Sequence, residues 1–226
     1  PAIITGKDAG VEIIPGVELT AELDGDEIHI LGYFIDWQDS LLTKRLEEFC
    51  IARKERAKEI LRRLNAEGID LKYRDLLDIA GSNSDSLGRL HIANLLYKKG
   101  KIACIKEAFT KYIGNSSPAY VKKIKLSPKE AIDLIKNAGG VSVLAHPKTI
   151  NTEIKPLKDI FKILISDGIQ GIEVYHSDHN KKESSEFKDL ALEYDLLMTG
   201  GSDCHGLGKK DVMLGKVKVP YELVEK

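Results

Sequence analysis

The sequence has few of the features that mark secreted, disulfide-bonded or membrane-spanning proteins. Only three cysteines occur among 226 residues, far apart and without a Cys-x-x-Cys pair, so we expect no disulfide framework and a reducing cytoplasm. No apolar run approaches the about 20 residues that span a membrane. No secretory signal precedes the first charged residues either. We therefore expect a cytoplasmic protein without a membrane partner.

An excess of charge of one sign is also missing, because Lys and Arg number 34 and Asp and Glu number 35. This balance argues against a protein that wraps nucleic acid with a basic surface. It leaves room for a local basic pocket that binds a small anionic ligand. The hydrophobic share of 42% suffices for a sizeable core, and the length fits one domain or a core domain with an insertion.

Short apolar runs alternate with helical patterns at both ends of the chain. Strands are predicted at residues 13–19 and 27–34, on either side of the turn dipeptide Asp24-Gly25. In the second strand, alternation places His29, Leu31 and Tyr33 on one face. After residue 118, strands at 141–145, 171–175 and 196–199 alternate with helices at 128–137, 157–166 and 181–194, and residues 217–219 are a candidate last strand. Alternation of this kind predicts a parallel sheet or barrel.

The middle of the chain has a different pattern. Apolar residues recur at helical spacing from Leu42 to Leu64, Gly68 is typical of a helix end, and a further helix is predicted from Gly88 to Tyr97. No segment of this block reads as a strand. We therefore predict an α/β domain made of residues 1–38 and 118–226, with an inserted all-helical subdomain at 39–117.

Ionisable residues cluster just after the predicted strands. Glu18 follows the first strand, His146 follows the strand at 141–145, and Asp203 and His205 follow the strand at 196–199. In β/α barrels, catalytic groups occupy the carboxyl ends of the strands, so that several loops converge. His29, inside its strand, could point into the same cavity. Carboxylates with imidazoles suit Zn, Mn or Fe, and paired ions can hold a phosphate and activate water.

Structural interpretations compete with these assignments. A lone histidine in a strand, such as His29, is more often structural than a ligand. His176 and His179 follow the strand at 171–175 and could cap or solvate the next helix, or contact the metal or the substrate. Cys204, between two candidate ligands, is expected to point away from them as a small core residue.

Short motifs in a fixed order indicate a family. The first four are Pro15-Gly16-Val17-Glu18, His29-Ile-Leu-Gly-Tyr33, Leu144-Ala145-His146-Pro147 and Gly201-Ser-Asp-Cys-His205-Gly206. They resemble the successive motifs of the PHP (polymerase and histidinol phosphatase) superfamily. Further segments are the helix from Arg53 to Gly68, Gly88-Arg89-Leu90-His91-Ile92-Ala93, Pro118-Ala119-Tyr120-Val121 and Gly171-Ile-Glu-Val-Tyr-His176. They resemble the TrpH- or YciV-like phosphoesterases of that superfamily.

The resemblance implies a distorted (β/α)7 TIM-like barrel with up to three divalent ions (Mn, Fe, Zn or Mg) at its rim. Glu18 would bridge two ions, and His29 and His146 would complete the ligands of one. Asp203 would serve the first ion and His205 a third. Glu18, His146, Asp203 and His205 would also form the catalytic set. His29 would act only as a metal ligand. The implied reaction is hydrolysis of phosphate esters by metal-activated water, on nucleoside 3′,5′-bisphosphates or the 5′ ends of short oligoribonucleotides.

One departure from the family pattern bears on activity. The family begins with a strand carrying His-x-His and a nearby Asp, whereas no histidine precedes Glu18 here. About 50 to 60 residues of the pattern have no counterpart, so the first strands and some ligands are expected to be missing, with weak metal binding and little hydrolysis by this chain.

Phosphate recognition needs donors beyond the metals. Arg89 and His91 lie at the start of a predicted helix, whose N–H groups can also hold an anion. Arg56 is a candidate if its basic helix packs over the barrel mouth, although a solvated helix face is the simpler interpretation. We include His179 as a fourth candidate contact. Tyr120 could stack on a base or simply be packed. The insertion would then act as a lid.

Two other classes of function stay open. One is a catalytically silent PHP module with a binding or regulatory role, or a truncated inactive fragment, and an upstream His-x-His in the same reading frame would argue against it. The other is a metal-dependent amidohydrolase, which usually has a metal-bridging lysine after a middle strand. No predicted strand here ends suitably in Lys.

Overall fold

A computed structural model describes residues 2–81, 87–150, 156–204 and 214–224. The chain divides into two compact units. The first, the sheet unit, comprises residues 1–42 and 125–226, and the second, the helical unit, comprises residues 43–124. These bounds differ slightly from the predicted insertion at 39–117. No helix in the described ranges is both long and apolar enough to cross a membrane.

The described helices number eight, and the described strands number five. The helices are α1 (Ala2–Ala9), α2 (Ser40–Ala66), α3 (Tyr73–Ala80), α4 (Arg89–Lys98), α5 (Ile105–Ala108), α6 (Pro128–Asn137), α7 (Leu157–Asp167) and α8 (Lys181–Glu193). The strands are β1 (Gly16–Leu23), β2 (Asp26–Tyr33), β3 (Val141–Leu144), β4 (Gly171–His176) and β5 (Leu197–Gly201). A π-helical turn (Phe109–Ile113) continues α5, and two 3₁₀ turns cover Pro147–Thr149 and Tyr221–Leu223.

The strands form one sheet in the order β1-β2-β3-β4-β5. Strand β2 runs antiparallel to β1 and β3, whereas β3, β4 and β5 are parallel. The parallel arrangement predicted from the helix–strand alternation is confirmed for β3 to β5, because helices connect them. The hairpin at the start makes the sheet mixed. The order ends at β1 and β5, so a seven-stranded barrel stays a prediction.

A two-residue turn sets the register of the β1–β2 hairpin. Asp24 and Gly25 have φ of 52° and 94°, and Leu23 pairs with Asp26. Positive φ at both positions gives a turn whose twist matches that of the flanking strands. The predicted Asp24-Gly25 turn is therefore confirmed.

Strand β2 separates an apolar face from a polar one. Ile28 and Ile30 are buried on one face, and Gly32 leaves room there for α6, since a Cβ on it would lie 2.9 Å from Cγ1 of Ile135. The opposite face carries half-buried His29 and Tyr33, as the alternation predicted. His29 therefore faces away from the packing against α6.

Helix ends of the sheet unit follow local sequence signals. Ser127 caps α6 by accepting the N–H of Glu130, whose carboxylate accepts the N–H of Ser127 in return. Asn180 and Glu183 make the same reciprocal pair at α8. Both helices lie where predicted, because capping pairs of this kind determine where a helix begins.

The helical unit has its own apolar core. Leu64 of α2, Leu76 of α3 and Leu95 of α4 are almost fully buried, and Ile113 closes the cluster. Helix α2 ends as expected before Gly68, which has φ of 79°. No strand occurs in the described part of this unit, in agreement with the helical pattern of its sequence.

Two features differ from the predictions. Residues 217–219 form no strand; they are irregular, because the run is only three residues long and Pro220, which lacks an N–H for strand pairing, follows it. Helix α1 was not predicted, since its sequence has no clear apolar periodicity.

Candidate metal centre

Three neighbouring strands bring Glu18, His29 and His146 together. Glu18 lies on β1, His29 lies on β2, and His146 follows β3. The register pairs Thr20 with His29, and the N–H of Ala145 donates to the carbonyl oxygen of His29 at 3.0 Å. His29 and His146, which are 117 positions apart in the sequence, are therefore in direct contact.

The three side chains point single atoms at one another. His29 Nδ1 lies 2.7 Å from Glu18 Oε1 and 3.2 Å from His146 Nε2. His146 Nε2 lies 3.5 Å from Glu18 Oε1. All three atoms lie within 4.8 Å of one another. Two imidazole nitrogens and a carboxylate oxygen are a donor set that suits Zn, Mn or Fe, so these residues fit a divalent ion.

Charges at the centre are coupled. Hydrogen bonds from His146 and then His29 hold the pKa of the Glu18 carboxyl well below its usual range. The hydrogen bond to Glu18 raises the pKa of His29, although burial opposes the rise. The cluster therefore favours a positive charge between its members, which a proton or a metal ion can supply.

The backbone at His146 is in an uncommon conformation. His146 has φ of 25° and ψ of 62°, directly before Pro147, and Asp203 has φ of 46°. Left-handed backbone is uncommon at residues other than glycine, and Asp and His are among those that adopt it most often. These two predicted ligands thus share the same departure from ordinary backbone geometry.

Glu173 is a site residue that the sequence predictions missed. It lies on β4 with 4% of its surface exposed, and its Oε2 accepts the backbone N–H of His146 at 2.7 Å. Burial raises the pKa of Glu173 to about 7, although the N–H of His146 partly opposes the rise. Gly201 leaves space for this carboxylate, since a Cβ there would lie 3.3 Å from Oε1. A carboxylate inside an otherwise apolar strand was the available signal.

His176 and His179 extend the row of imidazoles. The ring centre of His176 lies 5.7 Å from that of His146 and 5.2 Å from that of His179. His179 Nδ1 donates to the carbonyl of Val174, and its ring packs on Phe187. Burial lowers the pKa of both histidines, and their Nε2 atoms are buried without a hydrogen-bond partner in the described structure. A substrate contact by His179 stays a prediction.

The last predicted motif is only partly described. Asp203 follows β5, and its negative charge contributes to raising the pKa of Glu173 and opposes the lowering at His176. It is not a member of the three-residue cluster. His205 lies outside the described residues. Metal ligation by Asp203 and His205 stays a prediction.

Arg89 makes several contacts within the helical unit. Its Nη1 donates to the carbonyl of Ile113 at 3.2 Å and to Oδ1 of Asn115 at 2.9 Å. Its guanidinium carbon lies 5.7 Å from the ring centre of Phe109 and 5.6 Å from that of Tyr120. Arg89 therefore has a structural role, and a phosphate contact by it stays a prediction.

The other two candidates of the helical unit are also held locally. His91 Nδ1 accepts the N–H of Gly88 at 3.1 Å at the start of α4. Arg56 Nε donates to the carbonyl of Val121 at 2.7 Å. Phosphate recognition by these residues also stays a prediction.

An α/β sheet with a His-His-Glu cluster defines a candidate metal-binding protein, and comparison with known proteins specifies the class. No protein-family model matches the chain. It is 31% identical over 204 residues to the 5′-3′ exoribonuclease of Haemophilus influenzae, covering 90% of this chain and 73% of that protein. It is 29% identical over 202 residues to the 5′-3′ exoribonuclease Rnm of Escherichia coli, covering 89% and 68%. The 3′,5′-nucleoside bisphosphate phosphatase of Chromobacterium violaceum is 29% identical over 205 residues, covering 90% and 72%.

Two crystal structures show the same fold. One is a protein of Bifidobacterium adolescentis provisionally described as a metal-dependent phosphoesterase, with a TM-score of 0.79 and 27% identity over 99% of this chain and 78% of that one. The other is an amidohydrolase of C. violaceum with bound sulfate and no metal, with the same TM-score and identity over 98% and 77%.

The chain belongs to the family of the H. influenzae exoribonuclease. The predicted membership in a family of hydrolases that cleave phosphate esters of nucleotides and RNA is confirmed by these relatives.

Proposed function

We propose that the protein is a metal-dependent phosphoesterase of the PHP superfamily, of the TrpH- or YciV-like type. Its substrates are nucleoside 3′,5′-bisphosphates or the 5′ ends of short oligoribonucleotides. The observation that carries the proposal is the convergence of Glu18, His29 and His146 in a chain related to exoribonucleases and to a bisphosphate phosphatase. In this proposal, the five strands are part of a distorted (β/α)7 barrel.

The ligand atoms are Glu18 Oε1, His29 Nδ1 and His146 Nε2, with Asp203 and His205 as further ligands. This mixed donor set favours Mn, Fe or Zn over Mg, which prefers oxygen ligands. Divalent ions bound there supply Lewis-acid activation of the phosphate and of water. Glu173 holds the backbone of His146 and thereby keeps that ligand in place.

Recognition of the substrate falls to residues beside the metals. The ring of His179 lies beside that of His176, which in turn lies beside that of His146 in the metal centre. We propose that His179 contacts the substrate, while Arg89, His91 and Arg56 of the helical unit stay candidate phosphate contacts. The C. violaceum structure contains a bound sulfate, an ion with the shape and charge of a phosphate group.

Two expectations remain part of this proposal. The three cysteines of the described chain are free thiols, which supports a cytoplasmic location. The family resemblance predicts a His-x-His before Glu18, and none is present in the 226 residues. We propose that such a segment adds further ligands to the centre.

The test combines metal content with hydrolysis. The 226-residue chain and a version completed with the His-x-His segment would be loaded with Mn²⁺, analysed for metal, and assayed with a nucleoside 3′,5′-bisphosphate and a 5′-phosphorylated tetraribonucleotide. We expect phosphate or nucleotide release by the completed version and little by the shorter chain. Glu18→Gln should abolish both metal retention and hydrolysis. Glu186→Gln, on an exposed face of α8, is the matched control.

Metal retention that is unaffected by Glu18→Gln would contradict the proposal. Binding of metal and nucleotide without turnover in the completed version would instead support the silent regulatory module. Equal hydrolysis by the two lengths would overturn the account of the missing ligands.

A further inference from the structure

We propose that Thr149 and Glu27 are positioning residues that fix the tautomers of His146 and His29, and that they thereby set the metal affinity of the centre. The inference rests on the proposed function, because it concerns the same metal site. Neither residue belongs to the three-residue cluster, and neither was singled out by the sequence motifs.

Thr149 determines which nitrogen of His146 carries the proton. Its hydroxyl lies 3.0 Å from the carbonyl oxygen of His146 and 2.8 Å from Nδ1 of the same residue. A carbonyl can only accept, so the single hydroxyl proton is donated to it. Towards Nδ1 the hydroxyl oxygen can then only accept. Nδ1 therefore carries the proton of the neutral ring, and Nε2 is the nitrogen left to bind a metal ion beside Glu18 and His29.

A short turn holds Thr149 in this position. The 3₁₀ turn Pro147–Thr149 follows His146 directly, and the backbone N–H of Thr149 donates to the carbonyl of His146 at 2.9 Å. Both the backbone and the side chain of Thr149 thus form hydrogen bonds with His146, whose ring they orient. The left-handed conformation of His146 permits this return of the chain.

Glu27 plays the same part for His29. Its Oε1 lies 3.3 Å from His29 Nε2, and an ionised carboxylate can only accept, so Nε2 carries a proton. By the same rule Nδ1 donates to the Glu18 carboxylate at 2.7 Å, so His29 of the metal-free chain carries a proton on both ring nitrogens. A metal ion bound at Nδ1 would replace that proton, and Glu27 would keep the remaining one on Nε2. Lys125 holds Glu27 at 3.4 Å and Glu22 at 2.9 Å, which keeps the carboxylate beside β2.

Together the two partners keep one ring proton on the outer nitrogen of each imidazole, so that a metal ion would have to displace only the proton between His29 Nδ1 and Glu18. Ligand–partner hydrogen bonds of this kind orient metal-bound imidazoles, and their loss typically lowers metal affinity by about 10- to 100-fold. A hydroxyl partner on one ring and a carboxylate on the other also make the two imidazoles unequal donors.

The test reads the tautomer and the affinity separately. Imidazole ¹⁵N shifts in the metal-free 226-residue chain report the protonated nitrogen, and competition titrations with Zn²⁺ and Mn²⁺ report affinity. Thr149→Val keeps the shape but removes the oxygen, whereas Thr149→Ser keeps the hydroxyl. We expect Thr149→Val to release His146 into a mixture of tautomers and to weaken Zn²⁺ binding about tenfold. Thr149→Ser should behave as the parent chain.

Matched variants isolate the effect. Thr110→Val removes a hydroxyl that bonds the carbonyls of Lys106 and Glu107 in the helical unit, so it should leave both readouts unchanged. Glu27→Ala should change the ¹⁵N shift of His29 Nε2 and weaken Zn²⁺ binding, and Glu27→Gln should restore both because its amide oxygen still accepts. Parent-like tautomers and affinity in Thr149→Val would overturn the inference. A parent chain that binds neither ion would overturn the proposed function instead, and the ¹⁵N shifts would still decide the roles of Thr149 and Glu27.

Discussion

The carboxylate of Glu173, buried on β4, accepts the backbone N–H of His146 at 2.7 Å. This hydrogen bond links β4 to the turn that follows β3, at a residue that we propose as a metal ligand. It satisfies a donor in a strained turn that regular strand pairing does not reach.

Removing this acceptor should weaken both the fold and the metal centre. Glu173→Leu leaves the N–H of His146 without a partner, at a cost of about 1–3 kcal/mol in the free energy of unfolding. Glu173→Gln keeps an acceptor of the same length and should cost less. Urea unfolding of both variants, followed by Zn²⁺ titration, measures the difference. Equal stability of the two variants would show that the hydrogen bond contributes nothing.

The titration of Glu173 should make the metal-free chain less stable as the pH rises from about 5 to 8. Burial raises the pKa of Glu173 to about 7 from 4.5, so the folded state binds more protons than the unfolded state between these values. Stability then falls with increasing pH, by at most about 1.4 kcal/mol per pH unit for one group. His29 acts in the same direction, because its raised pKa gives stability that is lost as its proton leaves.

Urea midpoints of the parent chain and of Glu173→Gln across this pH range measure that dependence. The variant lacks the titrating group at position 173, so its stability should change less with pH. His176 and His179, whose pKa values are lowered, act in the opposite direction in both chains. An equal pH dependence of the parent chain and the variant would therefore contradict the burial of a protonated carboxyl.

Divalent ions should stabilise the chain against heat. An ion that binds only the folded state adds about 2.7 kcal/mol when its concentration is 100 times its Kd. The melting temperature should therefore rise on addition of Zn²⁺ or Mn²⁺ and fall again with chelator. His146→Asn should show neither change, whereas His91→Asn, in the helical unit, should respond as the parent does. A similar rise in His146→Asn would place the ion elsewhere.

Arg89 should stabilise the helical unit through its hydrogen bonds and aromatic contacts as well as through its charge. Arg89→Ala removes two hydrogen bonds and two aromatic contacts, and we expect a loss of about 1–3 kcal/mol in unfolding free energy. Arg89→Lys keeps a cation and should lose less. With the completed version, a phosphate contact predicts a raised KM in Arg89→Ala at temperatures where it is folded. Unchanged nucleotide affinity and turnover there would rule out the predicted phosphate contact.

Local signals in the sequence were sufficient for the elements and for the candidate ligands. The Asp24-Gly25 turn, the Ser127 cap of α6 and the alternation of β2 act over a few residues, so each can be recognised without knowledge of the fold. Short motifs containing Glu18, His29 and His146 predicted a phosphoesterase family for a similar reason. Their chemistry restricts which residues can occupy those positions.

The partners of those ligands depended on the tertiary structure. Glu173 is 27 residues from His146, and nothing in its neighbourhood in sequence shows that its carboxylate reaches the backbone of another strand. Arg89 was predicted to meet phosphate from its position at a helix start. Its contacts with Phe109 and Tyr120 became visible only once the helical unit had packed.

By itself, the sequence determined the alternation of helices and strands, the helical middle block, and the residues able to bind metal, because periodicity, capping and side-chain chemistry are local properties. Only the tertiary structure decided which of these residues meet. The pairing of β1, β2 and β3 brings Glu18, His29 and His146 within 4.8 Å, and long-range strand register is a cooperative outcome of packing. The tautomers set by Thr149 and Glu27 likewise depend on distances that folding creates.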